Sequence, residues 1–469
     1  MIIDLYKDRS LIIFMKKRIL LVEPDFPYPN RSKNCANEIH KNFAPIGLLK
    51  LGAMHKSLGN EVRLIRGNIN FKEFIPDEIL ITSIFTYWSK YVWDSINHYR
   101  VLFPHAKIWV GGIYATLHKE TPEFKKNAKR FRVLVHSGIH TEAEKFLPDY
   151  TLLKSPVNHH ITHAMRGCIR KCAFCGTWRI EPKLKCKTAD QIIDELIKAD
   201  KNKVIFFDNN FLANPHIKEI LRKLAVLKVN NRPVLFESQS GFDGRLLEKD
   251  PELADLLKKA RFKEIRIAWD NSLSDEHSIK KQIDHLVNAG YPAKEIYIFM
   301  IYNFNRSYEA MLKKLKCCKK WGVQIVDCRY RPLTITEDNY NSKKFKDGQT
   351  NKDYYIHEIS GWTDSKIRDF RKRVRQHNAE IRYGNGKKYD KRMEKWSAIH
   401  HTYKFFNLGA PPFIKKIERS PLLLKRVGML SKLKNYYLKK EMQPPNLSQH
   451  SKKELDTFLK KQIIKKNPK

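Results

Sequence analysis

The residues with the most specific chemistry are three cysteines in one tight run, Gly167-Cys168-Ile169-Arg170-Lys171-Cys172-Ala173-Phe174-Cys175-Gly176. A C-x3-C-x2-C spacing on a short loop lets three thiolates converge on one face of a cubane. Iron–sulfur clusters are usually held by four thiolates, and no fourth cysteine is at hand, since ten residues intervene before Cys186. Three ligands leave one iron open to a substrate or cofactor, as the open position of a catalytic zinc does. The alternative is a structural zinc site. Zinc usually takes paired C-x2-C knuckles with a second ligand pair, and none stands at comparable spacing here.

The elements that must position these thiolates alternate short apolar runs with amphipathic helical ones, which argues for α/β units and parallel sheets. With 469 residues, two or three domains are expected. Met15 opens the phrase "MKKRILLVEPDFP", which reads as a natural start, so the residues before it read as an upstream extension. The divisions are then 1–15, 16–150, 155–335 and 336–469. In the first series Arg18–Val22, "EVRLI", "EILIT" and "KIWVGG" read as strands. A helix follows Pro45 and stops at Gly59, and another covers "YVWDSINHYRVLF". In the second series "HHITHAMRG" leads into the cysteines. Thr188 and Gln191 have capping-box spacing, and Asn214-Pro215 reads as an N-cap with proline at the first helical position. "KVIFFD", "PVLFES", "EIRIAWD", "EIYIFMIY" and "IVDCRYRP" read as strands, and β-then-α units of this length suit a barrel or partial barrel. The last region is polar and irregular, then helical over "TDSKIRDFRKRVRQHN" with Ile367, Phe370 and Val374 on one face. Residues from about Gln443 read as loosely ordered.

The cysteine triad, the aromatic Phe174 before the third cysteine and the β/α units that follow resemble the radical S-adenosylmethionine (SAM) superfamily. The resemblance implies a 4Fe–4S cluster on Cys168, Cys172 and Cys175, with SAM chelating the open iron and being cleaved by one electron to a 5′-deoxyadenosyl radical. It also implies an external electron donor of flavodoxin or ferredoxin type. The implied fold is a partial (β/α)6 TIM-type barrel, in which the site lies at the carboxyl ends of the strands. On that resemblance, Asp208, Asn209 and Asn210 end the second strand where the family binds the SAM amino group. Glu237 and Ser238 end the third strand, Asp270 ends the fourth toward the ribose, and Phe174 lies by the adenine. Turn chemistry and helix capping are the competing roles for these polar residues.

The amino-terminal region resembles the cobalamin-binding domain found before some radical SAM barrels, a Rossmann-like (flavodoxin-like) parallel sheet. The matching pieces are Ala44–Leu49 ("APIGLL"), Ser83 within Thr82–Phe85, and Gly111-Gly112. In a doubly wound sheet ligands lie at the carboxyl ends of strands. The D-x-H-x-x-G element that supplies a histidine to cobalt is absent, and Glu38-Ile39-His40 stands near its place out of register. A methylthiotransferase reading fails, because Cys35 is the only cysteine before the triad. Cys317, Cys318 and Cys328 fall on an expected helix and strand, where core packing is the default. The fold class is therefore α/β, with a Rossmann-like domain, a partial barrel and a mostly helical carboxy-terminal region.

The chain carries 90 Lys and Arg against 50 Asp and Glu, a net charge of +40. Such a surface attracts polyanions, but lysine spread along most of the chain also makes an ordinary solvated surface. Residues 401–469 hold 17 Lys and Arg against 4 Asp and Glu, with Tyr436-Tyr437 among them. No apolar run approaches a membrane span, and eight cysteines without a disulfide pattern suit a reducing cytoplasm. The leading expectation is cobalamin-dependent methyl transfer to an unactivated carbon of a small-molecule or lipid-like substrate. Radical rearrangement or oxidation without cobalamin is the second expectation. A basic RNA-binding protein with a structural metal site is the third.

Overall fold

The computed structural model describes residues 16–28, 44–341, 348–383, 399, 402–408, 421–444, 446–447 and 456–457. The upstream extension, the loop carrying Cys35 and His40, and about half of the basic carboxy-terminal stretch lie outside the described residues. The chain divides into two compact units, Met1–Asn378 and Ala379–Lys469.

The first unit opens with β1 (Arg18–Glu23), α1 (Ile46–Ser57), β2 (Glu61–Arg66), β3 (Glu78–Ser83), α2 (Ser89–Leu102), β4 (Lys107–Gly112), α3 (Ile113–His118), α4 (Pro122–Arg130) and β5 (Val133–Val135). The strands form one parallel sheet in the order β2-β1-β3-β4-β5. Interior β1 is apolar and buried from Ile19 to Val22, as expected of a parallel strand covered on both faces. β5 was not anticipated, because three residues carry too little alternation to read as a strand.

Next come β6 (His160–Thr162) and β7 (Met165–Arg166). They are followed by α5 (Thr177–Ile180) and β8 (Lys185–Cys186). β7 pairs antiparallel with β8, so the cysteine loop and α5 are held between the arms of a small ribbon. α6 (Ala189–Ala199) carries the expected capping box at Thr188 and Gln191. Then follow β9 (Lys203–Phe206), α7 (Ile217–Val226), a hairpin of β10 (Lys228–Val229) and β11 (Arg232–Pro233), β12 (Leu235–Ser238), α8 (Gly244–Lys249), α9 (Glu252–Lys259), β13 (Phe262–Lys263), β14 (Ile265–Ala268), α10 (Glu276–Asn288), β15 (Ile296–Tyr302), α11 (Tyr308–Trp321) and β16 (Gln324–Arg329). They build two parallel sheets, ordered β13-β12-β9-β6 and β14-β15-β16. A parallel bridge from Phe242 to Ile267 links the two. The chain is thus an α/β protein of parallel sheets and many helices.

α7 begins at Ile217, two residues after the expected start. The Asn214 amide instead donates to Ala164 O (2.9 Å) and Lys187 O (3.1 Å), tying three loops together. Phe206, Phe211, Phe236 and Phe262 fill the core between β9, β12 and the helices, with Phe206 4.7 Å from Phe211 and 6.0 Å from Phe262 between ring centroids. Each contributes roughly 1.5–3 kcal/mol by burial. Cys318 joins this core from α11. α12 (Asp364–Tyr383) lays Ile367, Phe370 and Val374 on the same core. The second unit contains α13 (Pro421–Lys439), whose Leu430, Leu433 and Tyr437 pack with Phe406.

Candidate metal centre

The cysteine loop leaves β7 at Gly167, whose φ of +82° belongs to the left-handed region that glycine enters freely. A Cβ there would sit 3.0 Å from Lys183 O and 3.1 Å from Glu181 O, so a side chain would push the ribbon apart. The backbone N–H of Gly167 donates to Glu181 Oε2 at 2.7 Å, and Arg166 Nη1 donates to Glu181 Oε1 at 3.1 Å. Arg166 also holds Glu144 (2.7 Å), and Glu144 holds the buried Lys50 of α1 (3.1 Å). A continuous ion-pair chain therefore runs from α1 through Glu144 and Arg166 to Glu181, which in turn accepts from the N–H of the residue before Cys168. Asp208 secures the preceding turn, accepting from Ala164 N at 3.0 Å and Met165 N at 2.5 Å. Burial pushes its carboxyl up to about 7, against the pull of those two backbone donors and of Lys187 and Arg166.

The three thiols share one neighbourhood. Cys175 N–H donates to Cys172 O (3.0 Å), which closes the turn between them. Burial pushes the Cys172 thiol above its ordinary range, Cys175, Asp270 and Cys168 add to the push, and Arg245 opposes it. Cys168 Sγ accepts from Arg170 N–H at 3.3 Å and lies 3.8 Å from Asn210 Nδ2. Cys175 Sγ accepts from Thr177 N–H at 3.4 Å and lies 3.2 Å from the Thr177 hydroxyl. Among the described residues, no three His, Cys, Asp or Glu side chains close on a point where one metal ion could sit. A tetrahedral zinc needs that closure, at about 2.3 Å from each sulfur. Three thiolates on one loop are the donor chemistry of an iron–sulfur cluster, in which each sulfur binds its own iron.

The strand ends bring most of the expected residues to this loop and separate their roles. Asn209 bridges Glu181 (3.1 Å) and Thr177 (3.1 Å), hence reaching Cys175 through one hydroxyl. Asn210 donates to Asp243 at 3.2 Å, and its Oδ1 is buried with no hydrogen-bond partner. Asp270 likewise keeps a buried Oδ1 without a partner, and burial pushes its carboxyl up to about 6 despite Lys314 and Arg245. Glu237 is occupied by Arg266 (2.8 Å), and the Ser238 hydroxyl donates to Gly241 O (3.0 Å). The neighbouring Gln239 Oε1 is the buried acceptor left open at that strand end. Phe174 sits edge-on to Phe304, with 6.0 Å between centroids. Sequence reasoning did not single out Glu181, Gln239, Asp243 or the two arginines on Asp243. Asp243 and Arg245 lie in "GFDGRLL", directly after a strand end, which is the signal that points to them.

In the first sheet, the Ser83 hydroxyl donates to Gly111 O (2.8 Å) and accepts from Ala115 N–H (3.0 Å). Gly112 has φ +101°, and a Cβ on it would stand 2.0 Å from Ser83 O. Gly111 faces His136, whose Cβ would be 3.6 Å from an added methyl. These three residues are engaged with one another. α3, which follows them, packs against α5 beside the cysteine loop.

The model of the Radical SAM superfamily matches residues 163–315. No curated protein matches the chain. Among solved structures, Streptococcus suis SuiB bound to precursor peptide SuiA matches at 15% identity over 46% of this chain and 53% of that chain, with a TM-score of 0.29. Streptococcus suis SuiB alone matches at 16% identity over 62% and 63%, with a TM-score of 0.33. The carboxyl transferase domain of Rhizobium etli pyruvate carboxylase with 3-hydroxypyruvate matches at 11% identity over 91% and 61%, with a TM-score of 0.21. The chain thus spans less than two thirds of each of these solved chains. Residues 163–315, with the three-cysteine loop at their start, are a radical SAM superfamily domain.

Proposed function

We propose that this chain holds a 4Fe–4S cluster on Cys168, Cys172 and Cys175 and cleaves SAM reductively. One observation carries the reading. Cys172 lies within electrostatic reach of Cys168, Cys175 and Asp270, and Cys168 lies 3.8 Å from the Asn210 amide; Asn210 and Asp270 each keep a buried oxygen with no hydrogen-bond partner. When bound, the cluster supplies the electron that breaks the S–C5′ bond of SAM. The protein's own groups bind and orient. Asn210, Gln239 and Asp270 offer acceptors suited to an ammonium group and ribose hydroxyls. Asp208 and Glu181 fix the backbone entering the loop, and Thr177 with Asn209 holds the Cys175 side. Phe174 and Phe304 provide an apolar wall that excludes water. Anaerobic reconstitution with iron and sulfide, followed by assay for 5′-deoxyadenosine, tests the reading.

The finer reading is cobalamin-dependent methyl transfer to an unactivated carbon of a small or lipid-like substrate, with a flavodoxin- or ferredoxin-type donor. It is supported by the sheet order 2-1-3-4-5, the flavodoxin-like doubly wound order, and by α3 packing on α5. The two sheets β13-β12-β9-β6 and β14-β15-β16, bridged at Phe242 and Ile267, are read as one partial barrel. Ser83, Gly111 and Gly112 are spent on internal packing, which leaves the Ser83 hydroxyl engaged at both its donor and its acceptor side. Cobalamin bound to anaerobically purified protein supports methyl transfer, and its absence favours cobalamin-independent rearrangement or oxidation. Among the described residues no helix is long and apolar enough to cross a membrane.

A further inference from the structure

Asp243 lies at the N-terminus of α8, outside every role assigned above, yet it gathers three elements around one cysteine. Its carboxylate is 7% exposed. Arg170 Nε of the cysteine loop donates to Oδ2 at 2.8 Å. Asn210 Nδ2, from the loop after β9, donates to the same oxygen at 3.2 Å. Arg245 Nε donates to Oδ1 at 2.8 Å and its Nη2 to Oδ2 at 3.3 Å. Two of these donors belong to residues that also meet Cys168 Sγ, Arg170 through its backbone N–H and Asn210 through its amide. Arg245 also acts electrostatically on Cys172.

One carboxylate with two guanidiniums leaves a net charge of +1 at the Cys168 side of the loop. Positive charge and N–H···S hydrogen bonds favour the electron-rich state of an iron–sulfur centre. Groups that orient the ligands tune such centres and help retain the metal. We propose that Asp243 is a positioning residue: it pins Arg170, Arg245 and Asn210 against the Cys168 corner and thereby sets the reduction potential and stability of the cluster. This rests on the cluster reading of the cysteine triad. Without the carboxylate, both arginines swing to water, where their charge is screened, and the amide of Asn210 loses its second anchor. The reduced state is then disfavoured.

The test uses the full-length chain reconstituted anaerobically with iron and sulfide, as wild type, Asp243→Ala, Asp243→Glu and Arg170→Gln. Titration with titanium(III) citrate monitored by electron paramagnetic resonance gives the midpoint potential, and chelation by EDTA gives the rate of cluster loss. Asp243→Ala is expected to have a more negative midpoint, an altered resonance line shape and about tenfold faster cluster loss. Asp243→Glu recovers part of each. Arg170→Gln, at a half-exposed position that should leave folding intact, also shifts the midpoint negative. If loaded Asp243→Ala and Arg170→Gln match wild type in midpoint and line shape, the inference is overturned, even if the melting temperature falls. If Asp243→Ala does not fold, Arg170→Gln alone decides in the same way. A wild-type chain that takes up no cluster contradicts the cluster reading itself, and this inference with it.

Discussion

Glu181 and Gly167 are joined across the small ribbon by a 2.7 Å hydrogen bond from the Gly167 N–H to Glu181 Oε2. The contact fixes the chain one residue before the first cysteine, and the same carboxylate receives Arg166 and Asn209. Replacing it takes the acceptor from Arg166 Nη1, from the Asn209 amide and from the Gly167 N–H, while Arg166 keeps its bonds to Glu144. Glu181→Ala is expected to destabilise the protein by about 1.5–3 kcal/mol and to lower iron content after reconstitution. Denaturant unfolding and iron analysis check both. Unchanged iron uptake would mean that the ribbon does not position the loop.

Glu195 gives a pH-dependent prediction. Burial pushes its carboxyl up, but hydrogen bonds from His160 and the charge and hydrogen bond of Lys187, with Thr162, outweigh that and bring it down to about 2 from 4.5. A depressed folded-state value means the unfolded chain binds the proton more readily. The stabilisation is therefore present above about pH 4.5 and is lost as pH falls toward 2. Glu195→Gln should cost roughly 2–3 kcal/mol at pH 7. The gap between variant and wild type should narrow as urea unfolding is repeated from pH 4.5 downward. A gap independent of pH would assign the effect to packing.

Lys314 is a buried lysine on α11 whose ammonium donates to Trp269 O (2.8 Å) and Asn271 O (2.6 Å), the residues on either side of Asp270. Burial pulls it down to about 8, with Asp270 acting in the opposite direction. Lys314→Met fills similar space but leaves two carbonyls unpaired. A loss of about 2–4 kcal/mol is expected, measured by chemical denaturation. The turn carrying Asp270 should also become less protected from hydrogen exchange.

Gly112→Ala tests the first sheet. An added methyl would meet Ser83 O at 2.0 Å at a positive φ. The expected cost is at least about 2–3 kcal/mol, seen as a lower melting temperature. A neutral substitution would show that β3 and β4 can part there, as a ligand at that edge would require.

Much of this arrangement was legible in the chain itself. Strands such as Lys107–Gly112 and Ile296–Tyr302 announced themselves by apolar runs between turn formers, and Thr188 with Gln191 announced a helix start. The cysteine spacing pointed to the loop around which Asn209, Asn210 and Asp270 gather. What pattern could not settle was the direction in which polar strand-end residues spend their hydrogen bonds. Asp208 turns back to two backbone N–H groups, Glu237 turns to Arg266, and Ser83 turns to Gly111 and Ala115. These partners are distant in sequence, so a strand-end carboxylate reads the same whether it faces a ligand or a loop. Asp243 carries a local signal in "GFDGRLL", but two of its partners, Arg170 and Asn210, are distant in sequence, so what it holds was not legible there.

The most direct test of the central claim is the yield of 5′-deoxyadenosine from anaerobically reconstituted protein given SAM and a strong reductant. Wild type is predicted to bind about four irons per chain and to form 5′-deoxyadenosine. Cys168→Ala, Cys172→Ala and Cys175→Ala are each predicted to form none. A fully loaded wild-type cluster that leaves SAM intact, alone and with candidate substrates, would contradict the account.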